Sequence, residues 1–200
     1  MFKKMILLAI MAVAAIALAA PAIASANWSM ETNPLAGNET VTFEGETRYE
    51  GPLGSWTCPE SVAEVELEAG TSTGSVTGFS ANTATCVVGG SLGAACTSSG
   101  LVGIQKTGSW GVSTNGSDIT ISGIDLDNYF AFTGHPGCPP IVTYEGSLTV
   151  TVDNPHAIGI VTLEGGLTTT AFNGVGFEDV GTSTISGEWE ASPAGTYGIT

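Results

Sequence analysis

The chain has 200 residues, 19 acidic against 4 basic, and a formal net charge of −15. So few cations cannot neutralise a phosphate backbone, which excludes nucleic acid as a partner; the acidity reads as solubility and mutual repulsion, with cation binding as the alternative. The 28 glycines, the abundance of Thr and Ser and the lack of Leu-, Ala- or Lys-rich segments beyond residue 26 favour strands and turns over helices.

Residues 1–26 carry an address. Lys3 and Lys4 precede an apolar run from Met5 to Ala20, and Ala24-Ser25-Ala26 offers a small-residue cleavage site before Asn27. This is the pattern of a secretory signal peptide. A retained membrane anchor is the competing reading, but the run is shorter than the roughly 20 residues a spanning helix needs. No later segment is apolar for long enough to span. The expectation is a secreted protein, extracellular or at the cell surface, with the periplasm as the alternative, and not embedded in a membrane. After cleavage, Arg48 and Lys106 are the basic residues left.

Residues 27–38 read as an irregular N-terminal extension holding Trp28 and the Asn33-Pro34 breaker, either a loose tail or a segment that pairs with a neighbouring subunit. A single β domain is expected over 39–190. Glu39 to Tyr49 alternates, with Val41, Phe43, Thr47 and Tyr49 on one side and Thr42, Glu44, Glu46 and Arg48 on the other. Gly51-Pro52-Leu53-Gly54 turns the chain into Ser61 to Glu68, where Ala63, Val65 and Leu67 share a face; the period of two favours a strand over a helix. Val76 to Val88 is a further strand, interrupted near Asn82, and Gly89 to Gly103 is a covalently stapled loop. Trp110 and Val112, then Asn115-Gly116, then Ile119, Ile121 and Ile124 predict a hairpin with a type I′ turn, which needs positive φ at both central residues. The aromatic cluster Tyr129-Phe130-Ala131-Phe132 and a loop from Thr133 to Pro140 come next.

Val142 to Val152 is the plainest strand: Val142, Tyr144, Leu148, Val150 and Val152 fall on one face and Thr143, Glu145, Ser147, Thr149 and Thr151 on the other. Pro139-Pro140 precedes it and Asp153-Asn154-Pro155 ends it. His156 to Glu164, Leu167 to Phe172 after Gly165-Gly166, and Thr182 to Glu190 complete the set. Residues 191–200 form a tail or a short last strand. About ten short antiparallel strands predict an all-β fold, a two-sheet sandwich or a flattened barrel. A transmembrane barrel also combines export with alternation, but the outward rows here are Thr, Ser and Glu.

Four cysteines in an exported chain predict two disulfides, with three possible connectivities. Cys86 and Cys96 lie symmetrically about Ser91, which favours joining them across a hairpin and leaves Cys58 to pair with Cys138. A zinc site made from these cysteines and His135 would lack any C-x-x-C pair.

No catalytic constellation assembles in the sequence. Gly70-Thr71-Ser72-Thr73-Gly74 matches the G-x-S-x-G nucleophile elbow, but the elbow works at a strand-to-helix turn with a histidine base behind it. Here a polar turn joins two strands, and His135 and His156 both read as turn residues. A secreted hydrolase using Ser72 is therefore the least favoured reading. Asp125, Asp127 and Asn128 form a weak calcium candidate, because hard cations need several oxygen ligands from one loop; no other cofactor is expected. A carbohydrate- or calcium-binding module would draw on these acids and on Tyr129, Phe130 and Trp56 as exposed aromatics.

The order of several features resembles a known family. Trp56-Thr57-Cys58 opens a strand, Val76-Thr77-Gly78-Phe79-Ser80 is followed by Cys86 and Cys96, and Trp110 precedes Asp118-Ile119-Thr120-Ile121-Ser122-Gly123-Ile124. Cys138 then precedes Tyr144 to Val150. Over residues 39–190 this resembles the secreted bacterial alkane oxidation protein activators, the PraB-like family. The resemblance implies a non-catalytic, exported β protein at the cell surface or in the extracellular matrix, linked to biofilm adhesion and to growth on hydrophobic substrates. It implies no catalytic residues. With it comes the expectation of adhesion to cell-surface or matrix components and of self-association into fibres through strand edges.

Overall fold

The computed structural model describes residues 26–89, 98–132, 138–172 and 175–200. Among them every regular element is a strand: β1 (Trp28–Met30), β2 (Asn33–Pro34), β3 (Glu39–Gly51), β4 (Gly54–Leu67), β5 (Thr73–Ala81), β6 (Val87–Gly89), β7 (Ser98–Lys106), β8 (Trp110–Thr114), β9 (Asp118–Phe132), β10 (Ile141–Val152), β11 (Ile160–Phe172), β12 (Phe177–Ser192) and β13 (Tyr197–Ile199).

Alternation builds the long strands. β10 buries Val142, Tyr144, Leu148, Val150 and Val152, and β12 buries Ser183, Ile185, Trp189 and Ala191, so one face of each is core. Neighbouring long strands pair antiparallel in the order β10-β11-β12-β3-β4-β5-β8-β9, and β9 pairs back onto β10 from Ile141↔Tyr129 to Thr151↔Asp118. The circuit closes into an eight-stranded barrel, which decides between the two expected architectures. Closure leaves none of these eight strands as a full-length edge.

Two strands are longer than their alternation suggests because each changes phase partway. On β4, Trp56 and Cys58 face in before the irregularity opposite Gly45/Thr47, and Val65 and Leu67 face in after it. On β9, Ile119 faces in, then Ile124, Leu126, Asn128 and Phe130, with the shift falling at Ser122-Gly123, where Gly123 has φ 67. These are β-bulges, which insert a residue and swap faces. β11 is one strand across Gly165-Gly166; a Cβ on Gly165 would lie 2.5 Å from Leu148 Cδ2, so the glycine makes room for its neighbour.

The β8–β9 hairpin forms with a three-residue connection instead of the expected type I′ turn. Asn115 does not take positive φ; Gly116 alone does, at 106. The Asn115 carboxamide instead accepts from the Ser117 and Asp118 amides at 3.2 and 3.0 Å, an Asx turn that supplies the reversal through the side chain.

Residues 27–38 and 191–200 come together at one end of the barrel. β1 pairs with β13 through Trp28↔Ile199 and Met30↔Tyr197, and with β2 on its other side. The Trp28 indole donates to the Thr73 carbonyl at 2.7 Å, and the Ile158 amide to the Tyr197 carbonyl at 2.7 Å, so this small sheet is stitched across the barrel mouth as a plug. At the other end β6 pairs with the first residues of β4 and β7 with the last residues of β9, completing the wall where β5 and β8 stop short.

The cysteine pairing differs from the expectation. The described residues hold one disulfide, Cys58–Cys86, with Cα atoms 4.2 Å apart. Cys58 is therefore unavailable to Cys138 and Cys86 to Cys96. The pairing of β4 with β6 is the cause, because Thr57↔Val87 sets Cys58 and Cys86 side by side across adjacent strands. Cys138 is not a free thiol, and Cys96 lies outside the described residues.

Candidate functional site

The sequence-derived candidates do not meet. Asp125, Asp127 and Asn128 lie within β9 rather than in a loop, and alternation separates them: Asn128 points into the barrel and is fully buried, while Asp125 and Asp127 take the other face. Asp127 accepts from the Thr143 hydroxyl at 2.5 Å, and the Asp125 carbonyl accepts from the Thr107 amide at 2.9 Å. Among the described residues no three His, Cys, Asp or Glu side chains cluster as metal ligands. Ser72 sits in the turn before β5, where its carbonyl accepts from Thr114. The His156 ring faces the Ile199 carbonyl at 3.0 Å beside the plug. His135 lies outside the described residues.

The aromatics proposed as a binding platform are divided. Tyr129 is partly exposed and donates to Gln105, but Trp56 and Phe130 are interior. They join Tyr49 and Tyr144 in a cluster that fills the barrel half away from the plug. Tyr49 stacks on Trp56 at 5.4 Å between ring centroids, Tyr144 lies 5.2 Å from Tyr49, and Phe130 meets Trp56 edge-on at 4.9 Å. Ring pairs at these distances prefer offset or edge geometry because the negative faces repel each other. Burial pushes the Tyr49 hydroxyl well above the ordinary phenol range; burial and then the nearness of Tyr49 do the same to Tyr144. Beside them the Thr169 hydroxyl donates to Ser183 at 2.7 Å, the polar contact tying β11 to β12 inside the barrel.

The half nearer the plug is hollow. It holds a cavity of about 90 Å³. Three rings form a row along its wall: Phe79 lies 5.8 Å from Trp110 and 5.9 Å from Trp189. Leu148, Val150, Val161 and Ile185 add aliphatic wall, and Trp28 and Tyr197 of the plug close the end together with Ile158 of the β10–β11 connection. Trp189 packs beside two glycines, at which an added Cβ would run first into the backbone carbonyls of Glu188 and Glu46 and then into the indole. A Cβ on Gly45 would lie 2.9 Å from the indole Cγ, and one on Gly187 only 3.1 Å from Nε1.

This hollow is the feature that reading the sequence missed. The inward rows were legible one strand at a time, but only closure shows that they converge on unfilled space. The signal available beforehand was the set of small residues in those rows, Gly45, Ala63, Gly187 and Ala191.

The fold and interior define a class: a closed, antiparallel eight-stranded barrel, plugged by its terminal segments and clipped by a disulfide. No known protein family, characterised protein or solved structure matches the chain.

Proposed function

We propose that this is an exported, non-catalytic protein of the cell surface or extracellular matrix that attaches to hydrophobic surfaces through one end of its barrel. The observation carrying the proposal is the placement of exposed apolar side chains. Of the large apolar side chains exposed among the described residues, Val87, Val102, Val175 and Phe177 (65, 60, 95 and 54 %) lie in the barrel half away from the plug, against the less exposed Met30 and Ile160 (39 and 41 %) at the plug end. Phe172 and Phe177 pair there at 5.4 Å, on either side of the β11–β12 turn. Apolar side chains gathered on one part of a surface mark contact with another apolar phase.

Other features fit an extracytoplasmic life. The Cys58–Cys86 bond suits an oxidising compartment, and the leader reads as an export signal. The wall is mainly apolar inside and carries Glu44, Glu46, Glu164, Glu188 and Glu190 outside, the reverse of a membrane-spanning barrel. Among the described residues no helix is long and apolar enough to cross a membrane. The resemblance to the PraB-like proteins points the same way, towards biofilm and hydrophobic growth substrates. Fibre formation through strand edges would use β2, β6, β7 and β13, or the stretches where pairing within the circuit runs out, residues 177–182 of β12 beyond the end of β3 and the second half of β5 beyond its pairing with β8.

Adsorption tests the proposal. Mature protein mixed with dispersed hexadecane should deplete from the aqueous phase, and Val175→Ser/Phe177→Ser should stay in solution and remain folded, with its unfolding temperature lowered only by the loss of the Phe172–Phe177 contact. Equal adsorption of the two proteins, or none by the wild type, refutes it.

A further inference from the structure

The hollow half of the barrel is a second feature, independent of the apolar rim. We propose that it is a binding site for a small, neutral hydrocarbon of roughly four heavy atoms, a molecule with no hydrogen-bonding group.

Polarity is decided by the wall. None of the residues around the cavity is charged. Trp28, Thr47, Tyr49, Trp110, Trp189 and Tyr197 carry polar side-chain atoms, yet almost all of the surface that faces the cavity is carbon. Thr47 Oγ1 and Trp189 Nε1 each expose less than 1 Å² and meet no partner, so they are sealed behind carbon and not offered to an occupant. Trp28 Nε1 is committed to the Thr73 carbonyl at 2.7 Å and Trp110 Nε1 to the Thr107 carbonyl at 2.9 Å. A ligand hydroxyl or carbonyl would give up its hydrogen bonds to water and regain none. Water itself needs two to four polar partners to settle in a buried site and finds none on this surface. A carboxylate would in addition enter a protein of net charge −15.

Size follows from volume. A dry cavity of about 150 Å³ accepts benzene; 90 Å³ scales to roughly four heavy atoms. The space persists although the rows that surround it contain Ala63 and Ala191, where a larger apolar residue would fill it. Protein cores are otherwise close-packed, and an unfilled void is destabilising. An apolar occupant restores the missing contacts, which is the energetic reason for binding.

The test compares n-butane with 1-propanol, which have equal numbers of heavy atoms. Mature protein is equilibrated under controlled butane pressure or with 1-propanol, and binding is read from the rise in unfolding temperature and from the emission of the tryptophans lining the cavity. Butane should saturate both signals and bind at least about a hundredfold more tightly than 1-propanol. Ala191→Leu, which occupies the space, should abolish the butane response. Leu148→Ala, which enlarges it, should add a response to benzene. Binding of 1-propanol within tenfold of butane means that wall polar groups reach the ligand and overturns the hydrocarbon assignment. Absence of any butane effect on the wild type overturns the site. Should Ala191→Leu fail to fold, the benzene response of Leu148→Ala decides.

Discussion

Breaking the Cys58–Cys86 bond gives a quantitative check on the barrel's construction. The two residues are 28 apart in sequence, so the bond removes the freedom of a loop of that length from the unfolded chain. The loop-entropy relation puts this at about 3.5 kcal/mol at room temperature. For a domain of this size each kcal/mol moves the unfolding midpoint by about 2–4 °C, so Cys58→Ala/Cys86→Ala should melt roughly 7–14 °C below the wild type. Both proteins would be followed by circular dichroism under non-reducing conditions, with reversibility confirmed. Local consequences should accompany the global one. β6 is only three residues long and pairs with β4 through Ser55, Trp56 and Thr57, so amide exchange should rise first at residues 87–89. A loss well under 1 kcal/mol would refute the cross-link account. A peptide map of unreduced protein joining Cys58 to Cys138 would refute the pairing.

Further consequences follow from burial and charge. Tyr49 and Tyr144 have folded pKa values raised by burial, so their contribution to stability is complete below the unfolded phenol value near 10 and is lost as pH rises through the folded values. Base should therefore unfold the protein, with the tyrosinate absorbance of these two appearing together with the loss of circular dichroism; ionisation of all the tyrosines before unfolding would contradict it. Asp153 is shifted down: desolvation raises it, but the backbone amides of Ile160, Gly159 and Asn154 together outweigh that. Its contribution is present above the unfolded value of 3.8 and is lost as pH falls through the folded one, so Asp153→Asn should flatten the acid limb of stability relative to wild type. Glu44 and Glu190 face each other directly across β3 and β12. Like charges so placed repel, so Glu190→Gln should stabilise by about 0.2–1 kcal/mol at low salt, and the gain should shrink when salt is added.

What the sequence determined by itself is the part of the fold governed by local period. The inward rows of β3, β10 and β12 follow from two-residue alternation, which depends only on the pleat and on which side chains avoid water. The all-β class and the Asn115-Gly116 reversal were legible for the same reason: each rests on residue types within a short span. Tertiary structure decided everything that depends on which strands become neighbours. Bulges at Pro59-Glu60 and Ser122-Gly123 reverse the alternation, so β4 and β9 look shorter in sequence than they are. Trp56 and Phe130 alternate with polar residues just as an exposed platform would, and only closure puts them inside. Cys58 meets Cys86 because β6 lies along β4, a contact that no spacing between cysteines reveals. The cavity is the most non-local result. Its volume is the difference between the radius that eight paired strands impose and the bulk of the side chains they aim inward, and neither quantity exists until β9 has closed on β10.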